Sequence, residues 1–196
     1  MKGIERSRAE SKEKKPEFVD LYNERNEPLH KSVSRDQAHA EGLWHRTVHI
    51  YITRFVNGNK ELLVHIRSKE KKQYPGKHDP VFGGHITSGM DEASTVLSEL
   101  TEEIGITPEK EKLVYYGFVK KDDDLNAPGD KEFNMIYTYE LSTEEQNQIV
   151  LQEKEIESAH WIPFSELYTT LSEDKDNWRP SIQEIKESLE ILSSKE

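Results

Sequence analysis

Between Asp91 and Gly105 the chain reads DEASTVLSELTEEIG, a run that folds economically in water only as an amphipathic helix. Ala93, Val96, Leu97, Leu100 and Ile104 recur at helical spacing, and Gly105 stands where a left-handed C-cap belongs. Advancing about 100° per residue from Ala93 gathers the apolar side chains into a stripe about 100° wide. On the same wheel Glu99 falls at about 240°, Glu103 at about 280° and Glu102 at about 180°. Two carboxylates therefore border the buried stripe.

That placement is costly for an ordinary surface. Like charges one helical turn apart repel by about 0.2–0.5 kcal/mol even when exposed, and more where water is excluded. Acids in the C-terminal half of a helix also oppose its macrodipole. A bound dication reverses both penalties. Mg²⁺, or Mn²⁺ in its place, favours oxygen ligands and takes one or two protein carboxylates together with substrate phosphate. Glu99, Glu102 and Glu103 are accordingly candidate metal ligands, the plain alternative being a solvated acidic face.

Around this helix the sequence is rich in strands. EFVDLYNERNEPLHKSV predicts a hairpin turning at residues 23–28, followed by a polar connector, RDQAHAEG. HRTVHIYITRF and ELLVHIR predict two adjacent antiparallel strands joined at Asn57-Gly58-Asn59. Next comes a basic loop, SKEKKQYPGKHDP, leading into VFGGHI. Beyond the helix, KLVYYGFVKK and KEFNMIYTYEL predict strands separated by an acidic loop, DDDLNAPGD, read as a solvated turn or a substrate lid. Ser142 and Glu145 predict a short capped helix. A last strand is expected at 156–162, then helices at 165–171 and 180–192. Trp44 is expected in the hairpin core, stacking on a substrate being the other reading.

At 196 residues the chain has room for one sizeable α/β core. Residues 1–16 mix both charge signs without a hydrophobic period and read as a disordered tail, leaving 17–196 as a single domain. The formal charge of −11 argues against nucleic acid and anionic membrane as partners. No stretch is apolar enough for a membrane span or a secretory leader, so the cytoplasm is the expected compartment. The absence of cysteine removes disulfides, thiolate metal sites and a Cys nucleophile.

Residues 84–106, GHITSGMDEASTVLSELTEEIGI, resemble the box of the Nudix hydrolase superfamily, G-x(5)-E-x(7)-R-E-U-x-E-E-x-G-U, where U is aliphatic. Gly84, Glu99, Leu100, Glu102, Glu103, Gly105 and Ile106 match. Met90 stands in place of the first box glutamate and Ser98 in place of the arginine that orients the others. Glu92, at about 260° on the wheel, is a candidate to compensate. LWHRTVHIYI, LLVHIRSKEKKQYPGKHDPVFGGHI and KEFNMIYTYEL are further similar to the branch related to type I isopentenyl-diphosphate isomerase. Gly83-Gly84-His85 occupies the place of that branch's Cys-Gly-His segment, so the isomerase's cysteine chemistry is not available.

The resemblance implies an α/β/α sandwich with a mixed sheet and the box helix packed against it. It implies a Mg²⁺- or Mn²⁺-dependent enzyme that cleaves a diphosphate linkage in a small molecule. Nucleoside diphosphates linked to another moiety and isoprenoid diphosphates both satisfy that description. A non-catalytic diphosphate-binding domain and an isomerase-like enzyme are the alternatives. Arg67 and Lys71 are the implied diphosphate contacts, with Gly84 and His85 beside the substrate; a basic surface loop is the other reading of the pair. Glu102, Glu103 and Glu132 are the candidate catalytic carboxylates, Glu132 serving as base or further ligand, or else standing as a surface residue of an edge strand. His39, His45 and His85 fall near the isomerase metal ligands, and three imidazoles together could bind a metal, but each taken separately is assigned a structural or supporting role. Oligomeric state stays open, a homodimer included.

Overall fold

The computed structural model describes residues 16–124, 127–180 and 182–194. All of the expected tail except Pro16 lies outside them. The chain opens with the expected hairpin, β1 (Phe18–Tyr22) and β2 (Pro28–Ser34), turned by Asn23, whose Oδ1 accepts from the Arg25 and Glu27 amides. The next segment is not the connector its polarity suggested. Arg35–Glu41 forms a helix, α1, capped by the Ser34 side chain on the Gln37 amide and ended by Gly42 at φ 61°. Only Ala38 of this helix is buried, so it has no apolar stripe to betray it; the caps were its signal.

Strands β3 (His45–Val56) and β4 (Asn59–Arg67) then form an antiparallel hairpin. Asn57 and Gly58 both take positive φ, 52° and 81°, the handedness that a two-residue turn between twisted strands requires. Short β5 (His78–Asp79) pairs with β4, and the box helix follows as α2 (Glu92–Ile104). Asp91 caps its start and Gly105, at φ 72°, ends it as expected.

β6 (Leu113–Asp124) and β7 (Ala127–Glu140) run antiparallel, and their pairing continues through Asp122↔Lys131 and Asp124↔Ala127. Most of the acidic stretch expected as a loop is therefore strand, because ladder hydrogen bonds override the weak β-propensity of Asp. α3 (Thr143–Gln146) carries the expected capping box of Ser142 and Glu145. β8 (Ile156–Pro163), α4 (Phe164–Glu173) and α5 (Ile182–Ser193) complete the fold.

The main sheet has the order β5-β4-β3-β7-β6, with β8 also paired to β4. Its β3–β7 neighbours are parallel and the other pairs antiparallel, so the sheet is mixed. Alternation along the strands divides the interior into two layers. Val48, Ile50, Ile52, Leu63, Phe133 and Met135 pack on Val96, Leu100 and Ile104 of α2. Tyr51, Leu62, Val64 and Ile136 pack on Leu167 and Leu171 of α4 and Ile185, Leu189 and Leu192 of α5. Helices cover both faces, giving the expected α/β/α sandwich. No helix among the described residues is long and apolar enough to cross a membrane. Trp44 is buried against Phe133, with ring centroids 4.7 Å apart, as the core reading required.

Candidate active site

The segment 82–86 lies along β3 through backbone bonds from Ile50 to Phe82, Val48 to Gly84 and Ile86 to Arg46, at 2.8, 2.9 and 3.1 Å. This brings two glycines against α2, and the geometry accounts for both. A β-carbon on Gly83 would fall 2.1 Å from the Val48 carbonyl oxygen, and its φ of 129° belongs to glycine. A β-carbon on Gly84 would fall 2.3 Å from Oε1 of Glu99. The Gly83 amide donates to Oε2 of Glu103 at 2.9 Å. The glycine pair is thus a cradle for the two glutamates one helical turn apart.

Burial raises the Glu99 carboxyl to about 7, with Glu102, Glu17 and Glu155 adding repulsion and Lys71 partly offsetting it. Glu103 is pushed well above the ordinary range, first by burial and then by Glu99. Two acids that resist ionisation because they are enclosed together form a donor set suited to a hard dication, whose charge removes the repulsion. The residues present therefore fit the metal implied by the box. Glu102 is exposed, lining a shallow groove with Leu97, Ser98, Thr101 and Pro108.

The expected Arg67–Lys71 pair is split. Arg67 is fastened by Nη1 to Asp79 at 3.2 Å and by Nε to the Gln73 carbonyl at 3.3 Å. Lys71 forms an ion pair with Glu155 and acts electrostatically on Glu99 and Glu103. Glu155 is a site residue that sequence reasoning missed; it sits in a polar run, QEKE, with no motif to distinguish it.

A second constellation lies on the other face of the same segment. Thr47 bridges to His85, and Thr47 bonds Asn134 at 2.8 Å, so His85 shares the side of β7 that carries Asn134 and Glu132. There Nε2 of His85 meets Nε2 of His39 at 3.0 Å and Oε1 of Glu132 at 3.4 Å. His45 approaches the same oxygen at 3.7 Å, and Lys121 donates to Oε2 at 3.4 Å. Burial opposes ionisation of Glu132, yet the His85 hydrogen bond with the charges of Lys121, His85 and His45 outweighs it and holds this carboxyl well below its usual range. The three imidazoles and Glu132 place one ligand atom each within 4.8 Å of one another, a set that could hold a metal ion. Taken one at a time the histidines read as supporting groups; their convergence on one carboxylate is a property of the fold. Glu132 is a buried member of this cluster, and the residues it touches are not those of the Glu99–Glu103 pair.

The NUDIX domain family model matches residues 43–183. The chain belongs to the Nudix family. It is 29% identical over 168 residues to Nudix hydrolase 3 of Arabidopsis thaliana, covering 84% of this chain and 21% of that protein. The chain thus spans about a fifth of the length of that plant relative. It is 30% identical over 151 residues to an uncharacterized Nudix hydrolase of Clostridium acetobutylicum, covering 77% of this chain and 72% of that one. Among solved structures it resembles DR0079 of Deinococcus radiodurans, with TM-score 0.60, 19% identity and coverage of 81% and 90% of the two chains. A MutT protein of Methanosarcina mazei gives TM-score 0.56, 18% identity and coverage of 78% and 94%.

Within this Nudix domain the two departures from the box are both at the surface, Met90 at 42% exposure and Ser98 on the outer side of α2. Glu92, the candidate to stand in for the missing box glutamate, is engaged by other partners. Its carboxylate binds Arg46 at 2.8 Å and Tyr137 at 2.9 Å, seven residues before Glu99. Seven residues of α-helix rise about 10 Å, so a shared angular position does not put the two acids together.

Proposed function

We propose that this chain hydrolyses the diphosphate linkage of a small molecule, with Mg²⁺ or Mn²⁺ held by Glu99 and Glu103 and supported by Glu102. The observation that carries this reading is the cradle of Gly83 and Gly84, which encloses two carboxylates that repel each other unless a cation joins them. When bound, the ion supplies Lewis acidity and neutralises phosphoryl charge. Lys71 counters the charge that develops on the diphosphate beside Gly84, whereas Arg67 is held by Asp79 and His85 faces the other layer with Glu132. Water attacks one phosphorus, the bridging P–O bond breaks, and a carboxylate takes the proton. Glu102 suits that last role because it is exposed beside Glu99, whereas Glu132 is engaged by His45, His85 and Lys121.

The substrate class comprises nucleoside diphosphates linked to a second moiety and isoprenoid diphosphates; a magnesium-dependent release screen across both sorts them. Glu103→Gln is expected to abolish metal-dependent turnover while leaving the melting midpoint of the metal-free protein no lower than wild type. Retained turnover would contradict the assignment. A binding domain without turnover is the second reading, favoured by Met90 and Ser98 in place of the box acid and arginine. A ligand that raises thermal stability yet survives hours with protein and Mg²⁺ would select it.

A further inference from the structure

The loop before β8 is stitched to the site at both ends. The Val150 and Gln152 amides donate to the last carbonyls of α2, Ile104 and Glu103, at 2.9 and 3.0 Å. The Ser68 amide donates to the Glu155 carbonyl at 2.9 Å, and the Lys71 amide to the Ser68 carbonyl at 3.2 Å. Backbone is thereby fixed while two side chains stay adjustable: Lys71 and Glu155 are paired with each other and remain 29% and 35% exposed. Both exert their charge on Glu99 and Glu103. Lys71 is thus paired with Glu155 while its charge bears on Glu99 and Glu103, where a dication is proposed to bind.

We propose that Lys71 is the resident counter-cation of this acidic site, that a divalent ion displaces it and recruits Glu155 as a further carboxylate, and that the released ammonium then engages the diphosphate. The physical basis is charge balance. Two positive charges between Glu99 and Glu103 repel a neighbouring ammonium and attract the carboxylate that it held. Lys71 suits the exchange because its long stem carries a compact charge with rotatable donors, unlike Arg67 with its guanidinium fixed on Asp79. Metal and diphosphate must then strengthen each other's binding by one common factor.

This inference rests on the metal site proposed above, and the experiment separates the two. Mn²⁺ uptake is followed by electron paramagnetic resonance on the full chain, counting only the uptake that Glu103→Gln removes, so that ions taken by the histidine cluster do not enter. Lys71→Met is expected to tighten Mn²⁺ binding about tenfold in the absence of ligand, and Lys71→Arg to return it toward wild type. Glu155→Gln is expected to weaken it about tenfold. Methylenebisphosphonate should tighten Mn²⁺ binding in wild type and do so far less in Lys71→Met. If Lys71→Met binds Mn²⁺ no tighter than wild type, or Glu155→Gln binds it as well, the exchange is wrong while the metal site stands. If Glu103→Gln removes no uptake, the site itself is wrong and the exchange falls with it.

Discussion

Replacing Glu99 by glutamine tests whether enclosure of a charge, and not merely its presence, defines the site. The folded chain holds the Glu99 proton more tightly than the unfolded chain, about 7 against 4.5. The group therefore favours folding below the unfolded value, and this contribution is lost as pH rises through about 7. At about 1.4 kcal/mol per tenfold change in proton affinity, ionised Glu99 at pH 8 costs the metal-free fold up to about 3 kcal/mol. Glutamine keeps the shape and carries no charge. For a chain of this size about 2–4 °C accompanies each kcal/mol, so the variant should melt up to about 6–12 °C higher in EDTA at pH 8. At pH 5 the difference should shrink to about 1 kcal/mol, and below about pH 4 the two proteins should nearly coincide. Saturating Mn²⁺ should reverse the order, since a ligand of the native state stabilises wild type by RT ln(1 + [L]/Kd) and the variant has lost a ligand. Differential scanning calorimetry at these pH values, with EDTA and with Mn²⁺, reads all of this. A variant that melts below wild type in EDTA at pH 8, or gains as much from Mn²⁺, would refute the reasoning.

Gly84→Ala forces its new methyl into the space of Glu99 Oε1, so the carboxylate must move. Mn²⁺ affinity should fall at least about tenfold in a titration, the scale seen when the groups that position ligands are disturbed; unchanged affinity would show that Glu99 does not need this position. Arg179→Met removes the cation buried between Asp79 and Glu184, 3.0 and 3.2 Å away, and leaves both acids enclosed. Stripping one partner from such a pair costs about 3–5 kcal/mol, to be read as a lower urea midpoint at constant slope; a loss under about 1 kcal/mol would show that Arg67 beside Asp79 and His49, whose Nδ1 lies 3.2 Å from Glu184, suffice for those acids.

How far the sequence disclosed this molecule depended on whether a feature was periodic or spatial. The α2 stripe, its caps and the Asn57-Gly58 turn were legible because helix, cap and hairpin geometry act over a few residues. The relation of Glu99 to Glu103 was legible for the same reason. Helix α1 was missed because Ala38 alone is buried, so the hydrophobic signal on which periodicity depends is absent. Glu155 and the His39–His45–His85–Glu132 cluster were beyond local reading, since chain segments far apart in sequence bring their members together. Glu92 marks the limit from the other side: the angular argument was right, but axial distance and Arg46 decide what the carboxylate does.

The two constellations are tied by strand alternation. Phe82, Gly84 and Ile86 face α2, while His85 faces the opposite layer with Glu132. Three consecutive residues, Gly83-Gly84-His85, thus give a hydrogen bond to Glu103, leave room for Glu99 and supply an imidazole to the histidine cluster. A slip of one residue would exchange these faces, driving the His85 ring toward Glu99 and taking it from Glu132. The register is held by the backbone bonds of β3 to Phe82 and Gly84 and by the Cβ-free approach of Gly83 to Val48. The glycine pair therefore serves both clusters: a side chain at Gly84 would press on Glu99, and one at Gly83 would meet the Val48 carbonyl and break the register that presents His85.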